Sequence, residues 1–199
     1  WIHLYSAAVH ATARRSGEIL ASYQRARELD PLNPLIQAHA ILFSFYANRP
    51  EIAAVEAKKT RELFPDYWLV DYFEAIVRWQ LRDAEGATRL IEGVLAVTGD
   101  DAPYLACYAA AIQFFFDNPD RGRHWLAEVD RMSEQQTVSS TGRALIEIAR
   151  GRGPEAIREL ENARQDKDAP FAWCRAISER LDSLSDDRVR QAMARLGLP

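Results

Sequence analysis

The side chains with types suited to metal binding, nucleophilic attack or acid–base work are four histidines, two cysteines and a few paired carboxylates. His3 and His10 are seven apart and could share one helical face. His39 and His124 are distant from them, and neither His-Glu-x-x-His nor His-x-x-x-His occurs. Surface or packing histidines are the expectation. Cys107 and Cys174 stand far apart in the chain with no Cys-x-x-Cys, which excludes a disulfide-dense scaffold and a cysteine zinc knuckle. Two buried free thiols are expected. Asp100-Asp101 and Asp186-Asp187 fall where helices should begin, and negative charge there complements the helix dipole. Capping accounts for them without catalysis. Gly-x-Ser-x-Gly, a Walker loop and Gly-x-Gly-x-x-Gly are all absent, and Gly151-Arg152-Gly153-Pro154 reads as a turn between helices. The expectation is a chain that is not an enzyme and holds neither metal nor cofactor.

Aromatic residues carry more information. Nine of the 20 fall between Phe43 and Trp79: Phe43, Phe45, Tyr46, Phe64, Tyr67, Trp68, Tyr72, Phe73 and Trp79. The chain around them is ordinary globular material, 199 residues with 48% hydrophobic, 27% charged, 9 Gly and 9 Pro, which excludes disorder and low complexity. A net charge of −4 without a basic stripe argues against nucleic-acid binding by this domain. No apolar run reaches the ~18–20 residues needed to span a bilayer, so this segment is not expected to insert into membranes. The opening Trp1-Ile2-His3 has neither Met nor a signal-peptide pattern, and a C-terminal fragment of a longer protein is expected.

The elements that must position these residues come from self-similarity. ILASYQRARELDP (19–31) and AAVEAKKTRELFP (53–65) share a frame, with Pro31 and Pro65 closing it at the same place. The frame recurs as ATRLIEGVLAVTG (87–99), as GRHWLAEVDRM from Gly122 and as AIRELENARQDKD from Ala156. The anchors Ile19, Ala53, Ala87, Gly122 and Ala156 are evenly spaced, with a period of about 34 residues. Each unit holds two helical patterns. First helices are expected near 1–14, 35–47, 68–81, 103–116 and 138–150, with apolar residues at i, i+3, i+4, i+7 as in Leu35, Ala38, Leu42, Phe45 and Tyr46. Second helices are expected near 16–29, 51–63, 84–97, 120–132 and 154–165. Pro50, Pro119 and Pro154 sit at their starts, where a missing N–H costs nothing. No stretch alternates with period two, so no sheet is expected.

A helix–turn–helix unit of this period, with a small anchor, an aromatic and a terminal proline, resembles the tetratricopeptide repeat. Ile19 and Gly122 depart from the usual alanine, and no unit carries a complete consensus. The second half, from TVSSTGRALIEIARGRGPEAIRELENARQDKDAPFAWCRAI to SDDRVRQAMARLGLP, is similar to the C-terminal arrays of large bacterial regulators. In those, repeats follow a winged-helix, serine/threonine kinase or nucleotide cyclase domain. Such proteins often have Asp-Pro before the last helix, where this chain has Ser185-Asp186-Asp187.

The resemblance implies an all-α fold: one right-handed α-solenoid domain over 1–199, with repeats at about 1–33, 34–67, 68–101, 102–136 and 137–169 and a helical cap over 170–199. Phe171, Trp173, Ile177, Leu181 and Leu184 are the expected covering residues of the cap. Inner helices of such arrays line a concave groove. The frame puts Leu35, Leu42, Phe45 and Tyr46 there, then Leu69, Tyr72, Ile76 and Trp79, then Ala106, Ala110, Gln113 and Phe114. Leu42, Phe45, Tyr46, Tyr72, Ile76, Trp79, Gln113 and Phe114 are the candidate partner-binding residues, for a protein or peptide. Carboxylate-clamping relatives hold an acidic tail with Lys, Asn and Arg; the matching places here, Leu4, Ala8, His39, Leu69 and Phe73, cannot do so. Ile2, Tyr5 and Val9 are expected to expose an apolar face through which the first repeat self-associates. The expected role is an interaction or sensory module regulating an attached output domain; a free-standing assembly scaffold is the alternative. The expected location is the cytoplasm, or outside it should an upstream transmembrane segment precede the array.

Overall fold

Four turns of one kind set the architecture. In the computed structural model, which describes residues 2–12, 15–168 and 187–196, Asn48, Arg82, Asp117 and Gly151 take left-handed backbone conformations with φ of 60°, 63°, 56° and 69°. They recur with the same period as the anchors of the sequence frame. After each, the next N–H reaches back five positions: Arg49 to Ser44, Asp83 to Arg78, Asn118 to Gln113 and Arg152 to Glu147, every bond at 2.9 Å. The left-handed residue reverses the chain and lets that bond satisfy a carbonyl the helix end would leave open.

Around these turns run eleven α-helices among the described residues, with no strand: α1 (Ile2–Thr12), α2 (Ser16–Leu29), α3 (Pro34–Tyr46), α4 (Pro50–Leu63), α5 (Trp68–Gln80), α6 (Ala84–Thr98), α7 (Pro103–Phe115), α8 (Pro119–Ser133), α9 (Ser140–Ala149), α10 (Gly153–Gln165) and α11 (Asp187–Arg195). Starts are chemically marked. Asn33 caps α3, its Oδ1 accepting from Leu35 N at 3.0 Å and Ile36 N at 3.3 Å. Ser139 caps α9, its Oγ accepting from Gly142 N at 3.1 Å. Pro50 and Pro119 open α4 and α8, and Pro154 stands in the first turn of α10. The expected capping by Asp100 is corrected: Gly99–Asp101 forms a short 3-10 turn ahead of α7, and the Asp100 carboxylate takes both guanidinium nitrogens of Arg131 at 2.7 and 2.9 Å.

The chain divides into two compact units, Trp1–Leu90 and Ile91–Pro199, the division falling within α6. In the first, α1 pairs with α2 and α3 with α4, while α3 also meets α1, α2 and α5, and α4 meets α5. Ile19, Ile41, Phe43, Phe45, Ile76 and Trp79 are fully enclosed there. In the second, α7 packs on α8 and α9, and α9 on α10. Leu105, Ile112, Ile146 and Leu160 form its core. The anchors Ile19, Ala53, Ala87, Gly122 and Ala156 are all buried. Small side chains there let paired helices approach closely. At Gly122 the approach is close, since a Cβ built on it would lie 2.8 Å from the Phe114 ring.

α11 lies on α10, with Val189, Ala192 and Met193 buried. The expected covering residues Phe171, Trp173, Ile177, Leu181 and Leu184 lie outside the described residues, as does Cys174. Cys107 is a buried free thiol on α7, and burial pushes its pKa up to about 12, which leaves it protonated and unreactive.

Candidate functional site

Six of the eight residues expected to line an open groove are enclosed. Phe45 and Trp79 are 0% and 1% exposed, and Tyr46, Tyr72, Ile76 and Gln113 are also buried. Only Leu42 and Phe114 keep part of their surface. The physical reason is the number of neighbours of each inner helix. α3 is met by α1, α2, α4 and α5, so apolar rows on several of its sides are consumed by packing. Phe45 and Tyr46 stack edge-on at 5.3 Å, and Tyr72 sits 5.3 Å from Phe73. Phe114 is held between the Gly122 backbone and the Arg150 guanidinium, 5.2 Å from its ring centre. Asn118 Nδ2 donates to Gln113 Oε1 at 3.2 Å, closing the turn after α7. The six enclosed residues are core, not anchors on an open face.

What stays open on α3 is a narrower row. Leu35, His39 and Leu42 stand at i, i+4 and i+7, one face of a helix, and all three are half-buried. On α5, Leu69 is half-buried as well. The two helices are joined at this face by His39, whose ring meets Phe73 of α5 edge-on at 5.1 Å and Phe43 of α3 at 5.5 Å. His39 Nδ1 lies 2.8 Å from Leu35 O. Burial lowers its pKa below the usual 6.5, opposed by that hydrogen bond, so the ring is neutral at pH 7. α3 carries no charged residue. Leu35, Leu42 and Leu69 are placed on this face by the repeat frame; His39 stands four positions after Leu35, and that spacing is the signal that includes it.

Charge is concentrated elsewhere in the first unit, in a relay that the sequence does not announce. Arg61 donates to Asp71 at 2.6 Å and to Glu74 at 2.5 Å, Arg78 donates to Glu74 at 2.8 Å and to Asp83 at 2.5 Å, and Asp83 accepts Gly86 N–H at 2.9 Å. Glu74 is buried, and each of its oxygens faces one guanidinium. The Gly86 amide and Arg78 hold the Asp83 carboxyl below its ordinary range. Each of the three carboxylates in this relay is bonded to at least one of the two guanidiniums, which makes it a clamp tying α4, α5 and the first turn of α6. In the second unit, Arg121 pairs with Glu92 at 2.6 Å, and Trp125 Nε1 donates to the same carboxylate at 3.4 Å.

Among the described residues, no group of three or more His, Cys, Asp or Glu could hold a metal ion. No helix there is long and apolar enough to cross a membrane. Comparison with known proteins returns no match to a family model, a curated protein or a solved structure.

Proposed function

We propose that the chain is a non-catalytic, tetratricopeptide-like repeat array that binds a protein or peptide partner and regulates an output domain in the same polypeptide, with the cytoplasm as its place of action. The observation that carries the reading is the left-handed turn repeated at 48, 82, 117 and 151 with one unchanged hydrogen bond, which supports four quasi-equivalent helix pairs, with α1 and α2 as a fifth, within a right-handed solenoid. The binding surface is the α3–α5 face around Leu35, His39, Leu42 and Leu69. It is apolar, half-open, and built on helices held rigidly from behind. A second surface, on α1, serves self-association through Ile2 and Val9.

The test is selection of displayed random dodecapeptides on the immobilised chain. Enriched peptides should lose binding to Leu42→Asp and to Leu69→Asp, while circular dichroism shows both variants folded. Absence of enrichment, or peptides indifferent to both changes, rejects the reading.

A further inference from the structure

His39 is the polar member of an otherwise aliphatic row. Its Nδ1 is bonded to Leu35 O at 2.8 Å. A carbonyl oxygen only accepts, so Nδ1 carries the hydrogen, and in the neutral ring Nε2 holds the free lone pair. Nε2 has no hydrogen-bond partner among the described residues, and the His39 side chain is half-buried. Phe43 and Phe73 fix the ring plane, and with it the direction of that lone pair. The result is a preset acceptor between Leu35 and Leu42.

We propose that His39 Nε2 is the specificity-determining acceptor of this face, receiving a backbone N–H from an extended, uncharged segment of the partner while its aliphatic side chains rest on Leu35, Leu42 and Leu69. The inference rests on the interaction-module reading. Charge selects this occupant. An acidic tail would point its oxygens at a lone pair, and α3 has no cation to hold it. A basic segment would find Glu74 buried between Arg61 and Arg78, and Asp71 already bonded to Arg61 through Oδ1. A neutral donor flanked by apolar groups is what remains.

Protonation inverts the site. With a hydrogen on Nε2 the ring becomes a donor and faces the partner's donor. The ionisable groups on the helices packed against α3 are His3, Tyr5 and His10 of α1, Glu18, Tyr23, Arg25, Arg27 and Glu28 of α2, Glu51, Glu56, Lys58, Lys59, Arg61 and Glu62 of α4, and Asp71, Tyr72, Glu74 and Arg78 of α5. Burial lowers the His39 pKa and the Leu35 carbonyl opposes that shift. Binding should therefore weaken as pH falls through the lowered His39 pKa.

The experiment uses peptides from the random-library selection that lack ionisable side chains. Nitrogen-15 spectra of histidine-labelled full chain should show the His39 Nε2 resonance moving from the free lone-pair position when a peptide saturates the protein. His39→Phe keeps the aromatic packing and removes the acceptor, and it should weaken binding about five- to tenfold. As pH falls from 7.5 through the lowered His39 pKa the native chain should lose affinity while His39→Phe does not. An unmoved Nε2 resonance at saturation, or equal affinity and pH response in the two proteins, overturns the acceptor role while leaving the module reading intact. A selection that enriches no peptide overturns both. The resonance is read on the native chain, so the outcome stands even if His39→Phe melts early.

Discussion

Gly122 and Phe114 fit one another with no spare room. Three ring carbons would lie 2.8 to 2.9 Å from a Cβ at residue 122, and Arg150 covers the same ring. Alanine would favour helix α8 by up to about 1 kcal/mol, but forcing the ring aside costs roughly 1–3 kcal/mol. Gly122→Ala should therefore lower the denaturant midpoint, and Phe114→Leu in the same chain should recover part of the loss. A raised midpoint for Gly122→Ala alone would show that the ring has space to move. His39 makes a second prediction at this scale, on stability. Its folded pKa is held below 6.5 by burial, so as pH falls the unfolded chain takes up that proton first. The stability it contributes is complete above 6.5 and is lost progressively below it. Native protein should thus lose more stability between pH 7.5 and 5 than His39→Phe does. Parallel loss in the two proteins would remove His39 as the cause.

The helix–helix turn is the element that repeats most faithfully, yet its key residue does not. At these four periodic turns only Gly151 is glycine; Asn48, Arg82 and Asp117 carry side chains there. Glycine adopts this conformation at no steric cost, whereas most residues lose about 1 kcal/mol. Asp117→Gly should raise stability by roughly 0.5–1 kcal/mol and Gly151→Ala should lower it by a similar amount, read as opposite shifts in thermal midpoint. The Gly151 effect is purely conformational, because an added Cβ meets nothing within 4 Å. Midpoints that move together would contradict the equivalence of the two turns. The helices themselves are legible in the residues. Pro50 and Pro119 mark starts directly, and every observed helix from α1 to α10 closely follows the span that apolar spacing indicates. The turn conformation is less legible, since Arg82 is not a residue that announces a left-handed backbone.

At the scale of the whole molecule, what a sequence withholds is the number of neighbours each helix acquires. Apolar spacing identifies Phe45, Ile76 and Trp79 as facing something, but a groove and a core give the same pattern. The meeting of α3 with four other helices decides Phe45 for the core, and the packing of α5 on α3 and α4 does so for Ile76 and Trp79. Glu74 is the converse, a charged residue that reads as solvated and is buried between Arg61 and Arg78. Repeat columns extend this reasoning to α1. Counting back from each turn, Val9 corresponds to Phe43, Val77, Ile112 and Ile146, and Ile2 to Ile36, Val70, Leu105 and Ser139. The later apolar members are 4% exposed or less, whereas Ile2 and Val9 are 78% and 64% exposed; the side chain of Tyr5 lies outside the described residues. What lies near Phe43 is the Tyr23 ring of α2, at 6.3 Å. α1 also lacks Asp, Glu, Lys and Arg, as α3 and α7 do, so two copies could meet there without charge repulsion. Burying one such side chain contributes about 1.5–3 kcal/mol, and a twofold pairing would bury four. Association itself costs at least about 4 kcal/mol, which leaves at most about 2–8 kcal/mol and places self-association roughly between micromolar and tens of millimolar concentrations. Sedimentation velocity should show a dimer growing with concentration in native protein and absent from Ile2→Lys/Val9→Lys, with helix content unchanged. Native protein that stays monomeric up to about 1 mM would show that the exposed face of α1 does not pair with its own copy.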